Sequence, residues 1–348
     1  MEKKSTHPLK SILTIVVSLA FAGFFLWLAL KGLDFKVIQK SLAKANYVWV
    51  LFAAVFGILA YWFRAIRWNL LLEPMGYSIS NSNSLWSLSF GYLMNLTIPR
   101  SGEVARATAL YGVEKVPVDK SFGTIILERV VDLVCMIGFL GLTLVFKSEA
   151  ILSFYRNSGI TIDPNKILLV LGILALGVIL FFVFKKKLAR IPLLGKIIGF
   201  IDGILDGLTT IFRLKQKIKF IIYTVAIWIS YFLAAYLVCF SLPETSDFTI
   251  PDGFFILVVG TFGMIIPASG GIGAFNLAMK FGFMALFISM GKSAELGGEM
   301  GLTYSFISLP LQITIMLVMG LISIPMLAKA RNQRVAEKEL NESLEINE

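Results

Sequence analysis

The chain has 348 residues, 57% of them hydrophobic and only 16% charged. Ordinary soluble domains are about 45–50% apolar and about 25% charged, so a soluble globular fold is excluded. The net charge of +10 reads as cytoplasmic Lys/Arg loops, or in part as attraction to anionic lipid headgroups, rather than as a nucleic-acid footprint.

Several windows reach the roughly 18 apolar residues of a membrane span. They are too continuous for barrel strands, which alternate over about 10 residues. The expected class is therefore an all-α polytopic membrane protein. The single histidine, His7, lies in a polar tail, and Cys135 and Cys239 sit inside apolar segments. That leaves no triad, no metal-ligand spacing and no disulfide framework. No metal, cofactor, nucleic-acid partner or enzymatic activity is expected.

In chain order, Met1–Lys10 is a basic cytoplasmic tail. Ser11–Leu30 is a first span, read as an uncleaved anchor because its apolar core exceeds the about 7–15 residues of a signal-peptide core. Gly32–Asn46 is a short amphipathic connection placed outside. Tyr47–Phe63 is a second span ending in Arg64-Ala65-Ile66-Arg67-Trp68. Arg and Trp at a span's end read as interfacial anchors; the sharper alternative is a headgroup contact, since two guanidinium forks one turn apart suit a phosphate. Glu73–Asn83 is a polar turn around Pro74 and Gly76. Ser84–Ile98 is too short, at about 1.5 Å per residue, for a ~30 Å core. It runs into Ile98-Pro99-Arg100-Ser101-Gly102, followed by a brief helix, Glu103–Tyr111, carrying Arg106.

Glu114–Lys120 is polar. Ser121–Phe146 is a full span that nevertheless holds Glu128, Arg129 and Asp132. Lys147–Lys166 is read as a polar loop. Ile167–Phe184 is a span closed by Lys185-Lys186-Lys187, and Ile191–Lys219 is an amphipathic interfacial helix. Phe220–Phe240 spans again, and Leu242–Asp247, without Lys or Arg, fits the outside. Ile250–Ile266 and Ala274–Met290 flank Ile266-Pro267-Ala268-Ser269-Gly270, a near-copy of the first pentapeptide. Lys292–Glu299 is a short polar loop with Glu295 and Glu299 on its outer face. Gly301–Leu327 is the last span, with a kink expected at Pro310, and Lys329–Glu348 is a charged cytoplasmic tail. The parts are thus tail 1–10, membrane domain 11–328 with halves about 11–146 and 167–328, and tail 329–348.

Charge bias fixes the topology. With Lys185–Lys187 inside, Ser84–Tyr111 enters from the cytoplasm and returns to it. Ile250–Met290 then starts and ends outside, because Lys329, Arg331 and Arg334 follow the last span. Both termini are expected inside. The two pentapeptides become the tips of oppositely directed hairpins, each followed by a full span, which is the pattern of an inverted-repeat transporter. The expected architecture is an inverted repeat with two opposed re-entrant or short helical hairpins plus about six full spans. For the second hairpin a pair of complete short spans stays open.

Non-helical backbone at membrane depth survives only where protein or a watery cavity surrounds it. Pro99, Gly102, Pro267, Ser269, Gly270, Gly271 and Gly273 are the backbone devices of the two tips, and freed N–H groups there favour an anion. Glu128 and Asp132 share one helical face at i, i+4, with Arg129 beside them. Each charge at such depth costs about 2.5–3.5 kcal/mol. They form an ion-pair lock with Arg100 or Arg106, a polar translocation path, or a proton- or ion-coupling site, and the lock can coexist with either function. Lys280, one turn from Asn276, is a further headgroup candidate or a snorkelling lysine. A membrane lipid is the expected substrate, with a homodimer or a separate lipid-modifying enzyme as further partners. A membrane-embedded enzyme or accessory subunit of lipid or glycan transfer, with Glu128 or Asp132 as base, is the alternative.

Four blocks in this order carry a resemblance: Arg64-x-x-Arg67-Trp68; Asn95-x-x-x-Pro99-Arg100-x-Gly102-Glu103-x-x-Arg106; Glu128-Arg129-x-x-Asp132; and Pro267-x-x-Gly270-Gly271-x-Gly273. Over about residues 10–328 the chain resembles the flippase-like membrane domain of bacterial lysylphosphatidylglycerol synthases/flippases. The resemblance implies a multi-pass inner-membrane protein with re-entrant elements that moves aminoacylated, anionic or glycosylated lipids between leaflets. Arg64, Arg67, Asn95, Arg100, Glu103, Arg106, Glu128, Arg129, Asp132 and Lys280 are the candidate path. It implies no synthase activity, because the soluble transferase domain that follows in bifunctional members is not expected here. One departure bears on the substrate's charge: Asn276 stands where the family pattern has an acid. The first tip, with Arg100 and Glu103, is the expected charged working end; the second offers mostly backbone and space.

Overall fold

The computed structural model describes residues 35–98, 100–157, 214–265 and 271–345, and within these every regular element is helical. The expected spans at Ser11–Leu30 and Ile167–Phe184 and most of the expected interfacial helix lie outside the described residues. So do Pro99, Pro267, Ser269 and Gly270. Four described helices are long and apolar enough to cross a membrane, over Tyr47–Met75, Val118–Phe146, Lys217–Cys239 and Ala294–Ala336. They coincide with the four expected full spans in that part of the chain.

The amphipathic connection forms α1 (Phe35–Lys44), which turns Ile38 towards Leu302. Asn46 starts α2 (Tyr47–Leu72) by accepting the Val48 N–H at 3.1 Å. At 26 residues and about 1.5 Å each, α2 clears the core. It does not stop at Phe63 but carries Arg64, Arg67 and Trp68 on as buried residues. Pro74 and a left-handed Gly76 (φ 87°) end it.

The first hairpin is α3 (Asn81–Thr97) and α4 (Gly102–Glu114). Ile98 is extended, as a residue before proline must be. Arg100 takes a left-handed φ of 61°. Ser101 Oγ donates to the carbonyls of Ile98 (2.7 Å) and Met94 (3.1 Å), while Asn95 Oδ1 accepts the Gly102 N–H at 2.7 Å. The broken end therefore satisfies its own polar groups, as membrane depth requires. The arms cross so closely that a Cβ on Gly91 would stand 2.6 Å from the Gly102 carbonyl oxygen.

Lys115, left-handed at φ 58°, ends α4, and Pro117 precedes α5 (Val118–Phe146). The expected loop after Phe146 instead opens with a helix, α6 (Ser148–Asn157). Lys147, at that junction, pairs at 2.6 Å with the buried Asp252.

In the second half α7 (Lys217–Cys239) leads through a 3-10 turn at Pro243–Thr245 to α8 (Ile250–Ile265), α9 (Ala274–Ser289) and α10 (Ala294–Glu345). Asp252 closes the first turn of α8 by accepting from the Thr249 N–H and hydroxyl at 2.8 and 2.6 Å. α8 and α9 pack against each other as the expected second hairpin, with Gly263 against Ala278. Phe255, Phe275, Met279, Phe283, Phe287 and Tyr304 form the largest core. The loop expected at Lys292–Glu299 is mostly the first turns of α10. Glu299 is buried there rather than on an outer face, because Gly297 and Gly301 let α10 lie directly on α9. α10 runs on through Pro310, Pro325 and most of the expected tail. Arg334 near its far end donates to the Val113 carbonyl at 2.8 Å and pairs with Glu114 at 3.6 Å, returning the chain to the end of α4.

Candidate functional site

A buried charge network joins α2, α4, α5 and α7. Arg64 and Arg67 sit one turn apart on α2, and Glu128 and Asp132 one turn apart on α5, so the two rows face each other. Arg64 Nη2 meets Asp132 Oδ2 at 2.5 Å, and its Nη1 donates to the Tyr231 hydroxyl at 2.5 Å. Arg67 Nη2 meets Asp132 Oδ1 at 2.9 Å and Glu128 Oε1 at 3.5 Å, and its Nη1 reaches Thr224 Oγ1 at 3.5 Å. Arg106 Nη1 meets Glu128 Oε2 at 2.6 Å. The Arg106 guanidinium lies 3.6 Å over the Trp68 ring, and Trp68 Nε1 is itself tied to Thr124 Oγ1 at 2.9 Å. Arg64, Arg67, Arg106 and Glu128 are all buried.

Arg129 differs from its neighbours. Its side chain is 44% exposed, and its pairs with Glu103 (3.8 Å) and Asp132 (3.7 Å) are long. It opens onto a narrow cleft among α3, α4 and α5, lined by Tyr92, Asn95, Gly102, Glu103 and Arg106 among others.

The ion-pair lock expected for Glu128 is thus present, with Arg106 as partner. Arg100 is not part of it: from the hairpin tip Arg100 Nη2 donates to the Ile265 carbonyl at 3.2 Å. Ile265 is the last residue of α8, directly before the second pentapeptide. Arg64 and Arg67, read from the sequence as anchors at a span's end or as headgroup contacts, are interior; the carboxylates opposite them offset a desolvation that an interfacial anchor avoids. Asn95 is a staple of the hairpin that also lines the cleft. Lys280 lies on α9 beside Gly298, in the other half. Asn276 explains its own presence: Oδ1 accepts the N–H of Gly273, left-handed at φ 82°, at 2.9 Å, and Nδ2 donates to Ser305 at 2.7 Å. An amide serves both bonds while the Ser305 hydroxyl donates to the Leu302 carbonyl at 2.7 Å; a carboxylate would have to draw that proton away to keep the second bond. Tyr231, Thr224 and Thr124 carried no sequence signal; Trp68 did, but as an anchor.

The family model of the lysylphosphatidylglycerol synthase TM region matches residues 15–328. The chain belongs to that family. Among relatives, it is 30% identical over 129 residues to a UPF0104 membrane protein of Methanocaldococcus jannaschii, covering 36% of this chain and 38% of that one. It is 22% identical over 315 residues to the glycosyltransferase AglD of Haloferax volcanii, covering 81% of this chain and 50% of that one. The chain therefore spans half or less of the length of these two relatives. Family membership and the four long apolar helices make it a multi-pass membrane protein.

Proposed function

We propose that this family member is a flippase-type lipid translocase, not an enzyme. In this reading it resides in the cell (inner) membrane with both termini cytoplasmic and moves an aminoacylated, anionic or glycosylated lipid between leaflets. The observation that carries the reading is the bond from Arg100 to the Ile265 carbonyl. It ties the tip of the first helical hairpin to the end of α8, from opposite halves of the sequence, in a molecule that also holds a buried charge network of the kind that marks a transport path in a membrane. On this reading the hairpins are opposed re-entrant elements of an inverted repeat, and the headgroup passes where they meet while the acyl chains stay in lipid. Lys280, in the other half, serves the same path further along.

A second reading has one observation in its favour, the likeness of 81% of the chain to half of a glycosyltransferase. It makes this chain a membrane-embedded enzyme or accessory part of lipid-linked glycan transfer. Reconstituted liposomes separate the two. Fluorescently labelled phosphatidylglycerol, its lysyl ester and a glycolipid are each placed in the inner leaflet, and their appearance outside is followed by quenching. Movement of at least one lipid above empty liposomes, lost in Glu128→Gln and slowed in Arg129→Gln, is expected. No movement of any of them, with a chemically altered lipid recovered, sinks the translocase and favours the second reading.

A further inference from the structure

The four arginines of the network do not use their donors equally. Each guanidinium carries five N–H bonds in a fixed fork. Arg64 and Arg67 engage both terminal nitrogens and leave only Nε without an acceptor among the described residues. Arg106 engages Nη1 alone; among the described residues Nε and Nη2, its whole side edge, have none, although the residue is only 3% exposed. Unclaimed buried donors are costly and rare, so a pair on one edge calls for an account.

The edge is also held still. Glu128 fixes one terminal nitrogen and the Trp68 ring covers a face, so the guanidinium cannot turn its free donors elsewhere without breaking both contacts. Arg106 lines the cleft, as do Asn95, Glu103 and the half-exposed Arg129. The network as a whole sets four arginines against three carboxylates, Glu103, Glu128 and Asp132, so one positive charge is in excess. The cleft itself holds only about 10 Å³, roughly one water's worth. In this closed form it admits one oxygen-sized group, so a larger anion meets Arg129 at the mouth and reaches the Arg106 edge only as the cleft widens.

We propose that the Nε–Nη2 edge of Arg106 and the guanidinium of Arg129 form an oxyanion subsite for a phosphodiester monoanion. Two phosphodiester oxygens match an arginine's side edge as a bidentate acceptor, and a single negative charge balances the excess; a dianion would over-fill it. Arg64 and Arg67 are then lock residues, and Arg106 is a lock on one edge and a reader on the other. The choice of a lipid headgroup as the source of the phosphodiester rests on the translocase reading.

The test measures binding by the purified full chain in detergent. The probes are dihexanoyl phosphatidylglycerol, inorganic phosphate and the uncharged dihexanoylglycerol. Phosphatidylglycerol is expected to bind and to weaken as salt rises. Its affinity is expected to fall at least tenfold in Arg129→Gln and in Arg106→Lys, which keeps the charge but lacks the fork. Lys292→Gln, distant in sequence and paired with Asp247, controls for charge removal and is expected to bind like the wild-type chain. At a pH low enough to keep inorganic phosphate mainly a monoanion, its competition also supports the subsite and assigns it to the free anion rather than the lipid. Equal binding of dihexanoylglycerol overturns it, and so does unchanged affinity in Arg129→Gln, which decides alone should Arg106→Lys not fold. Binding with these properties but no transport in liposomes removes the translocase and keeps the subsite; transport with unchanged variant affinities does the reverse.

Discussion

Glu128 is the fully buried carboxylate of the network. One carboxylate holds Arg106 at 2.6 Å and Arg67 at 3.5 Å, with no exposure to solvent. In such a setting the attraction of a pair is nearly cancelled by desolvation, but removing one partner strands the other charge, at about 3–5 kcal/mol. Glu128→Gln is therefore expected to lose stability on that scale in equilibrium unfolding in mixed micelles. Removing Glu128 together with Arg106, as Glu128→Leu/Arg106→Met, should lose less than the sum of the two singles. Asn276→Ala is expected to lose about 1 kcal/mol or somewhat more, since it removes the cap on the Gly273 N–H and the bond to Ser305. The sequence made Glu128 and Asp132 legible because carboxylates in a span must find cations, and Arg106 was one of two named candidates. Tyr231 and Thr224 were not legible. They stand on α7, nearly a hundred residues further on, and a hydroxyl in an apolar span costs too little to advertise itself.

At the level of helices, the first hairpin depends on two backbones approaching where side chains are absent. A Cβ at Gly91 would meet a backbone carbonyl at 2.6 Å and the Arg106 Cβ at 2.9 Å. Neither can swing aside as a flexible side chain could. Gly91→Ala is expected to cost about 1–3 kcal/mol through overpacking. It should also displace Arg106 from Trp68, seen as a change in tryptophan fluorescence, whereas Gly112→Ala on α4, with open space around its position, should change neither. Hydropathy located these helices because hydrocarbon forces the backbone to pair within each segment. It placed their ends poorly wherever a helix leaves the membrane. α10 was read as Gly301–Leu327 yet spans Ala294–Glu345, since a helix can go on into water once polar residues begin. The same error stopped α2 at Phe63 and turned Arg64 and Arg67 from interior residues into anchors.

Across the whole molecule the informative contact is the one from the first hairpin tip to the end of α8. Arg100 is an exposed residue held in a left-handed conformation at a hairpin tip, a backbone state that a bulky L-residue adopts at some cost. Its side chain is spent on a main-chain carbonyl 165 positions away. A neutral acceptor in a partly watered site gives a bond of modest strength, suited to being made and broken. If the hairpin tips separate to let a headgroup through, holding them together must stop transport without unfolding the protein. The double variant Arg100→Cys/Ile265→Cys, with Cys135 and Cys239 replaced by alanine, tests this with a short reducible thiol cross-linker. Cross-linked protein is expected to lose lipid movement in liposomes and regain it on reduction, while each single cysteine variant responds to neither treatment. Movement that continues undiminished through the cross-link would mean that the tips stay together during transport, and the path would have to lie elsewhere. Failure to cross-link at all would mean that the halves do not meet at the tips in the membrane. The repeated pentapeptide made this juxtaposition worth seeking, but the sequence offered no reason for Arg100 to reach a carbonyl rather than a carboxylate. That choice follows from Arg106, which lies a turn and a half further into the hairpin and already occupies the carboxylate.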